Sequence, residues 1–307
     1  MKKIFALIMT VFMMFFAVSI FAGCETEDDC DVVCTVFPQY DFCRKIAGDE
    51  LTVKMLLPAG TDAHNYMLTT KDKSAIKNSK LFVYIGGESE NWVKDVIKST
   101  DLSHTALLNL SEKVELIYPN EDHDHEGHEH EEYFDEHFWL SIKNSIVLCN
   151  EICAEMTKAF PEKAETLNRN CQVYTSELSA LETRYAKELV KVKNNTMFFA
   201  DRFPFAYLAS DYGLNCRSLM HGCTTDTDIT PIELIKFKEE YKQSGATGVF
   251  VLESGDSSIA ESIVNECGGK IYRLNSCQTV TKNDLQSGRG YLEIMTGNLE
   301  TIKEGLK

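Results

Sequence analysis

Between Pro161 and about Val192 the chain carries no further glycine or proline, and Leu167, Cys171, Tyr174, Leu178, Leu181 and Tyr185 recur at spacings of three and four. That is one apolar stripe on a helix, and it predicts a single rod roughly 45 Å long if thirty residues each rise 1.5 Å. Such an element splits the sequence into a part before it and a part after it.

Both parts alternate short apolar runs with amphipathic stretches. Before the rod, 31–36, 51–57, 81–85 and 105–110 read as buried strands, with helices between them, notably 71–78 and 90–99, and helical periodicity then runs from Phe138 to Phe160. After it, strands are expected at 197–200, 248–252 and 270–274, and helices at 203–212, 231–243, 258–266 and 289–305. Strand and helix in alternation build an α/β layer around a mainly parallel sheet. The expected fold is therefore α/β, with an N-terminal lobe over 32–160, a linking helix over 161–193 and a C-terminal lobe over 194–307.

The first residues stand outside that fold. Lys2 and Lys3 precede a nearly uninterrupted apolar run over 4–21, which ends at Ala22, Gly23 and Cys24. A charged start, an apolar middle and small residues before a cleavage point mark a targeting segment; a retained membrane anchor is the competing reading of a run this long. Small residues directly before a cysteine resemble a bacterial lipoprotein signal over 1–23. Cys24 is then the acylated start of the mature chain, 24–31 an acidic tether, and the protein lies outside the cytoplasm on a membrane.

A net charge of -16 disfavours nucleic acid and anionic lipid, whereas a negative field concentrates cations. Of 11 cysteines, ten remain once Cys24 is set aside, and no CxxC occurs, which excludes a zinc knuckle of that kind. An exported chain can pair them as disulfides, Cys216 and Cys223 around a short loop being the favoured bridge, or keep them as buried thiols that pack like small apolar residues.

Across 112–136 the strand and helix pattern breaks. His123, His125, His128 and His130 stand among carboxylates in DHDHEGHEHEE, 122–132. Imidazole ligates zinc, copper and nickel, and neighbouring carboxylates help hold a divalent ion. With few aliphatic residues the loop has no preformed geometry, so it is expected to bind several ions weakly; a merely solvated acidic loop is the plain alternative.

The loop follows AGTDAHNYMLTTKDKSAIKNSKLFVYIGGESENWV and directly precedes YFDEHFWLS. Here the chain resembles the zinc and manganese solute-binding lipoproteins of ABC importers, the cluster A-I type, in which "dxHxyxpt" leads into "xdixxlxxadlvvyxgxxxexW". His64 falls on that first histidine, Trp92 on the tryptophan and His137 on the histidine of "dpHvWls", with the charged insertion of the zinc-type members just before it. The likeness continues in order through FFADRFPFAYLASDYGL, GCTTDTDITPIEL, GVFVLESGDSSIAESIV and YLEIMTGNLETIKEGL.

The resemblance implies two lobes like those of periplasmic binding proteins, with the long helix as a rigid link and a metal ion in the cleft between them. It implies His64 and His137 as ligands. The family's third ligand falls on Arg202, which stays protonated and cannot ligate a cation; neighbouring Asp201, or His221 or Cys223 in the HGC loop, is the candidate replacement. The fourth falls on Asn275, a neutral oxygen donor. Glu253, closing a strand, is a candidate for the shell around the ligands. Two imidazoles favour zinc, with manganese the alternative.

No HExxH, GxSxG or Gly-rich phosphate loop occurs, so the expectation is a binding protein and not an enzyme. Its partners are a divalent ion, an ABC permease with its ATPase and, through the lipid on Cys24, a membrane; the chain is expected to act as a monomer. The alternative is an adhesin or metal-buffering lipoprotein of the same fold, and less favoured still is a zinc-dependent hydrolase.

Overall fold

In a computed structural model of the chain, residues 30–61, 66–118, 133–220 and 229–307 are described. The apolar runs of the first part become four short strands, β1 (Val32–Cys34), β2 (Val53–Met55), β3 (Leu81–Tyr84) and β4 (Ala106–Asn109). They form an all-parallel sheet in the order β2-β1-β3-β4. Helices α1 (Phe37–Ala47), α2 (Thr70–Asn78) and α3 (Asn91–Ser99) make the crossovers. Local chemistry sets their starts. Pro38 sits in the first turn of α1, where its missing N–H would have had no partner anyway. Thr69 and Asp72 cap α2 reciprocally, each side chain accepting the other's backbone N–H.

Helicity from Phe138 onward divides in two. Phe138–Leu140 is a 3-10 turn, and Ser141, whose hydroxyl accepts from Asn144 N at 3.0 Å, then opens α4 (Ile142–Ala159). The rod itself is α5 (Ala164–Leu189), 26 residues with the whole expected stripe buried. At 1.5 Å per residue it measures about 39 Å. It is shorter than expected because Pro161–Lys163 forms a 3-10 turn ahead of it.

The second lobe repeats the first. Strands β5 (Thr196–Phe199), β6 (Asn215–Ser218), β7 (Gly248–Leu252) and β8 (Lys270–Leu274) form a second parallel sheet in the order β6-β5-β7-β8. Around it lie α6 (Ala206–Tyr212), α7 (Pro231–Ser244), α8 (Ser258–Cys267), α9 (Lys282–Ser287) and α10 (Tyr291–Gly305). Strand β6, at the sheet edge, and the short α9 were not expected from the sequence. Among the described residues no helix is long and apolar enough to cross a membrane, and six of their cysteines are buried as free thiols.

The lobes are joined by more than the rod. One continuous apolar core runs from Val32 in the first sheet through Leu178 of α5 to Leu299 of α10. Polar bonds cross the same junction. The Trp139 indole donates to the Ser276 carbonyl at 2.9 Å, and the Tyr291 hydroxyl to the Trp139 carbonyl at 2.5 Å. The fully buried Asp41 of α1 accepts from Tyr291 N at 2.8 Å, from the Arg44 guanidinium at 2.7 Å and from the Tyr174 hydroxyl at 3.3 Å. A carboxylate of the first lobe thus sits at the N-terminus of α10 in the second, where the helix dipole favours it.

A second buried carboxyl sits just past β3. Glu90 accepts from Ile85 N at 2.7 Å and Gly86 N at 3.2 Å. Burial lifts its pKa from 4.5 to about 7, with the nearby Glu136 adding to the rise and the hydrogen bonds opposing it. A carboxyl raised in the folded state keeps its proton there while the unfolded chain gives its own up, so stability falls as pH climbs through that interval. Between 4.5 and about 7 the loss amounts to about 3 kcal/mol. Glu90→Gln, which keeps the acceptor for both amides, is expected to flatten the dependence of urea midpoint on pH between 5 and 8. A slope equal to that of the parent chain would show that Glu90 does not carry it.

Candidate metal centre

Parallel α/β sheets bind ligands outside the carboxyl ends of their strands, where the strand order reverses. In the second sheet that point lies between β5, followed by Asp201 and Arg202, and β7, followed by Glu253. A cleft of about 530 Å³ opens there. The first lobe contributes Gly60, Thr61 and His137 to its lining, and the second contributes Arg202, Glu253 and Asn275 among others.

His137 is built into this wall. Only 3% of it is exposed, and its ring stands 5.2 Å from that of Trp139. Asp135 Oδ1 lies 2.9 Å from both the backbone N and Nδ1 of His137. A carboxylate on Nδ1 fixes that nitrogen as the protonated one, raises the basicity of the ring and directs ligation to Nε2. The segment is pinned from both lobes. Glu136 accepts from Ser89 N at 2.8 Å and from the Ser89 hydroxyl, and it packs so closely on Gly87 that no Cβ fits there. On the other side the Tyr207 hydroxyl donates to the Asp135 carbonyl at 2.8 Å.

The remaining candidates fall in different places. Asp201 stands behind the wall: its carboxylate accepts from Arg202 N at 2.7 Å and Leu252 N at 3.1 Å, and Gly255 packs directly against it. Asn275 does line the cleft, but its side-chain oxygen accepts from Cys277 N at 2.8 Å. That bond braces the loop at Cys277, whose φ of 57° is in the left-handed region. His64, His221, Cys223, the histidines at 123, 125, 128 and 130, and Cys24 lie outside the described residues. The chain leaves the described part at Thr61, in the cleft lining, and re-enters at Tyr66, whose ring packs on Trp92 at 5.9 Å.

Glu253, together with Asp284, supplies the carboxylates of the cleft lining. Glu253 accepts from Ser276 N at 3.0 Å and the Ser276 hydroxyl at 2.9 Å. Burial raises its pKa, against these hydrogen bonds and the charge of Arg202. Gln278 and Arg289 also line the cleft. Neither was picked out from the sequence, where a loop glutamine and an arginine before the last helix carry no ligand pattern. Arg289 is paired with Asp284 at 3.1 Å. Among the described residues no three His, Cys, Asp or Glu side chains converge as a metal-binding group.

Residues 32–305 match the model of a protein family described as "Zinc-uptake complex component A periplasmic", ZnuA. The chain belongs to the ZnuA family. Within it, the high-affinity zinc uptake system protein ZnuA of Bacillus subtilis is 30% identical, over 91% of this chain and 88% of its own. The zinc-binding protein AdcA of Streptococcus pyogenes is 31% identical over 99% of this chain, which spans 61% of AdcA's length. The fold agrees with solved members. The Zn(II)-bound ZnuA-like domain of Streptococcus pneumoniae AdcA superposes with a TM-score of 0.76 at 27% identity, covering 91% of this chain and 99% of that domain. The metal-dependent lipoprotein YcdH of Bacillus subtilis gives 0.77 at 29% identity, covering 90% and 99%. The ZnuA-family match thus takes in both sheets, the long helix and the cleft.

Proposed function

We propose that this chain captures a zinc ion in the cleft between its lobes and hands it to the permease of an ABC importer, as a solute-binding lipoprotein and not as an enzyme. The observation that carries the reading is His137, buried in the cleft wall with Nδ1 held by Asp135, because a buried imidazole oriented by a carboxylate is how proteins present Nε2 to zinc. Names of relatives that bind or take up zinc support the choice of metal, with manganese the alternative.

In this reading His137 and His64 are the protein's nitrogen ligands. Asp201 and Asn275 hold the strand-end loops in place around the ion, and His221 or Cys223 is the reserve donor. The histidines at 123, 125, 128 and 130 gather ions ahead of the cleft. Cys24 carries the lipid that keeps the protein on the outer side of a membrane, where it works as a monomer beside its permease and the associated ATPase.

Titrating the metal-stripped chain with zinc against a competing chelator tests this, and one tight site per chain is expected. Deleting 122–132 should lower the number of weakly held ions and leave that site in place. Asp135→Ala should weaken the site about 10- to 100-fold, the usual cost of removing a partner that orients a ligand. No tight site in the parent chain would refute the reading; an unaltered affinity in Asp135→Ala would refute the part given to His137.

A further inference from the structure

Two of the buried cysteines face each other across the hairpin that α4 makes with the long helix. Cys153 lies in α4 and Cys171 in α5. Each sulfur reaches the backbone one helical turn ahead of the other cysteine: Cys153 Sγ is 3.7 Å from the Leu167 carbonyl oxygen, and Cys171 Sγ is 3.6 Å from that of Cys149. This reciprocal crossing sets sulfur against sulfur, and the two thiols hydrogen-bond to each other. The amide oxygens of Asn168 and Asn150 lie 3.6 Å from Cys153 Sγ and 3.8 Å from Cys171 Sγ respectively, and both asparagines are exposed. The pair therefore sits directly beneath the surface. Cys153 and Cys171 keep 5% and 4% of their area open to solvent, whereas Cys34, Cys43, Cys149 and Cys277 keep none. Neither member of the pair lines the cleft, so zinc capture makes no use of them.

We propose that Cys153 and Cys171 are a modification site, a reversible disulfide that clamps α4 to the rod and is made by exchange with a small-molecule disulfide. Such oxidants are what an exported chain meets. The hydrogen bond between the thiols lowers the pKa of Cys153 and, together with burial, raises that of Cys171, so Cys153 gives up its proton first and is the nucleophile. Its thiolate attacks one sulfur of the oxidant, breaking that S–S bond and expelling one thiolate. Cys171 then loses its proton and attacks Cys153 Sγ, expelling the second. Two protein thiols are oxidised, one small disulfide is reduced to two thiols, and both protons end on the departing sulfurs.

Peptide mapping tests the site: the full, metal-stripped chain is incubated with oxidised glutathione, quenched with acid, and its remaining thiols are alkylated in denaturant. Cleavage at Glu151 separates Cys149 from Cys153, so a bridged peptide names its cysteines. The expected result is a bridge between Cys153 and Cys171 in most chains, removed again by dithiothreitol. The bridged chain should melt about 5 °C above the reduced one, because the cross-link restricts the unfolded state. Cys171→Ser should lose both the bridge and the shift and leave glutathione on Cys153. Glutathione held separately on both cysteines of the parent chain, both thiols still open to alkylation, or a bridge from Cys171 to Cys149 would each overturn the proposal. Should a variant fail to fold, the map of the parent chain decides by itself.

Discussion

His137→Ala should bind zinc at least about a hundredfold more weakly than the parent chain, nearly 3 kcal/mol at 1.4 kcal/mol per tenfold. Displacing Asp135, which only orients the ring, is expected to cost up to that much, so removing the ring sets a floor and not a ceiling. The imidazole is 3% exposed and makes a minor part of a large core, so the variant should still fold. Competition titration gives the affinity and circular dichroism checks the fold. An affinity within threefold of the parent, in a folded variant, would remove His137 from the site and with it the reading of the cleft.

The largest effect on stability is expected at Asp41, which is not part of the cleft lining. Replacing it by alanine strands Tyr291 N inside the junction of the lobes and takes away the acceptor for Tyr174 and Arg44. A hydrogen bond to a charged group contributes roughly 1.5 to 3 kcal/mol, but the Arg44 side chain is 38% exposed and its share is discounted for solvent. The net loss should be about 3 kcal/mol. For a chain of this size that lowers the melting temperature by roughly 5 °C. Asp41→Asn keeps an acceptor and should lose about half as much. Equal melting temperatures for Asp41→Ala and the parent chain would show that the carboxylate does not tie the lobes.

Asp41 also shows where reading the sequence stops. Tyr291 lies 250 residues further on, and nothing in the local pattern marks an aspartate in the first helix as the counterpart of a helix start near the other end of the chain. The long helix was legible because six apolar residues at regular spacing point to one buried face whatever they pack against. Seven of the eight strands were legible for the same reason, as short apolar runs. Strand β6 was not, because Asn-Cys-Arg-Ser has no such run and is held as an edge by pairing with β5 alone.

The cleft divides in the same way. His137 was visible within DEHFWLS, and Asp135, two residues earlier, could have been read with it as the group that fixes the ring. Asp201 and Asn275 were picked out by position in the motifs, but side-chain direction decides what they do, and direction comes from backbone donors at Leu252 and Cys277. Gln278 reaches the cleft from the turn after β8 and Arg289 from just past the end of α9, placements that depend on tertiary packing and not on spacing.

The bonds between Trp139 and Ser276 and between Asp41 and Tyr291 have a consequence for whatever receives this protein. Halves fastened together at their common floor resist swinging apart, so full and empty copies are expected to differ little in outline, and small-angle scattering should hardly separate them. If the protein delivers zinc to a permease as proposed, that receptor must sense occupancy at short range, through a few side chains around the rim whose charge and hydrogen bonding change when the vacancy is filled.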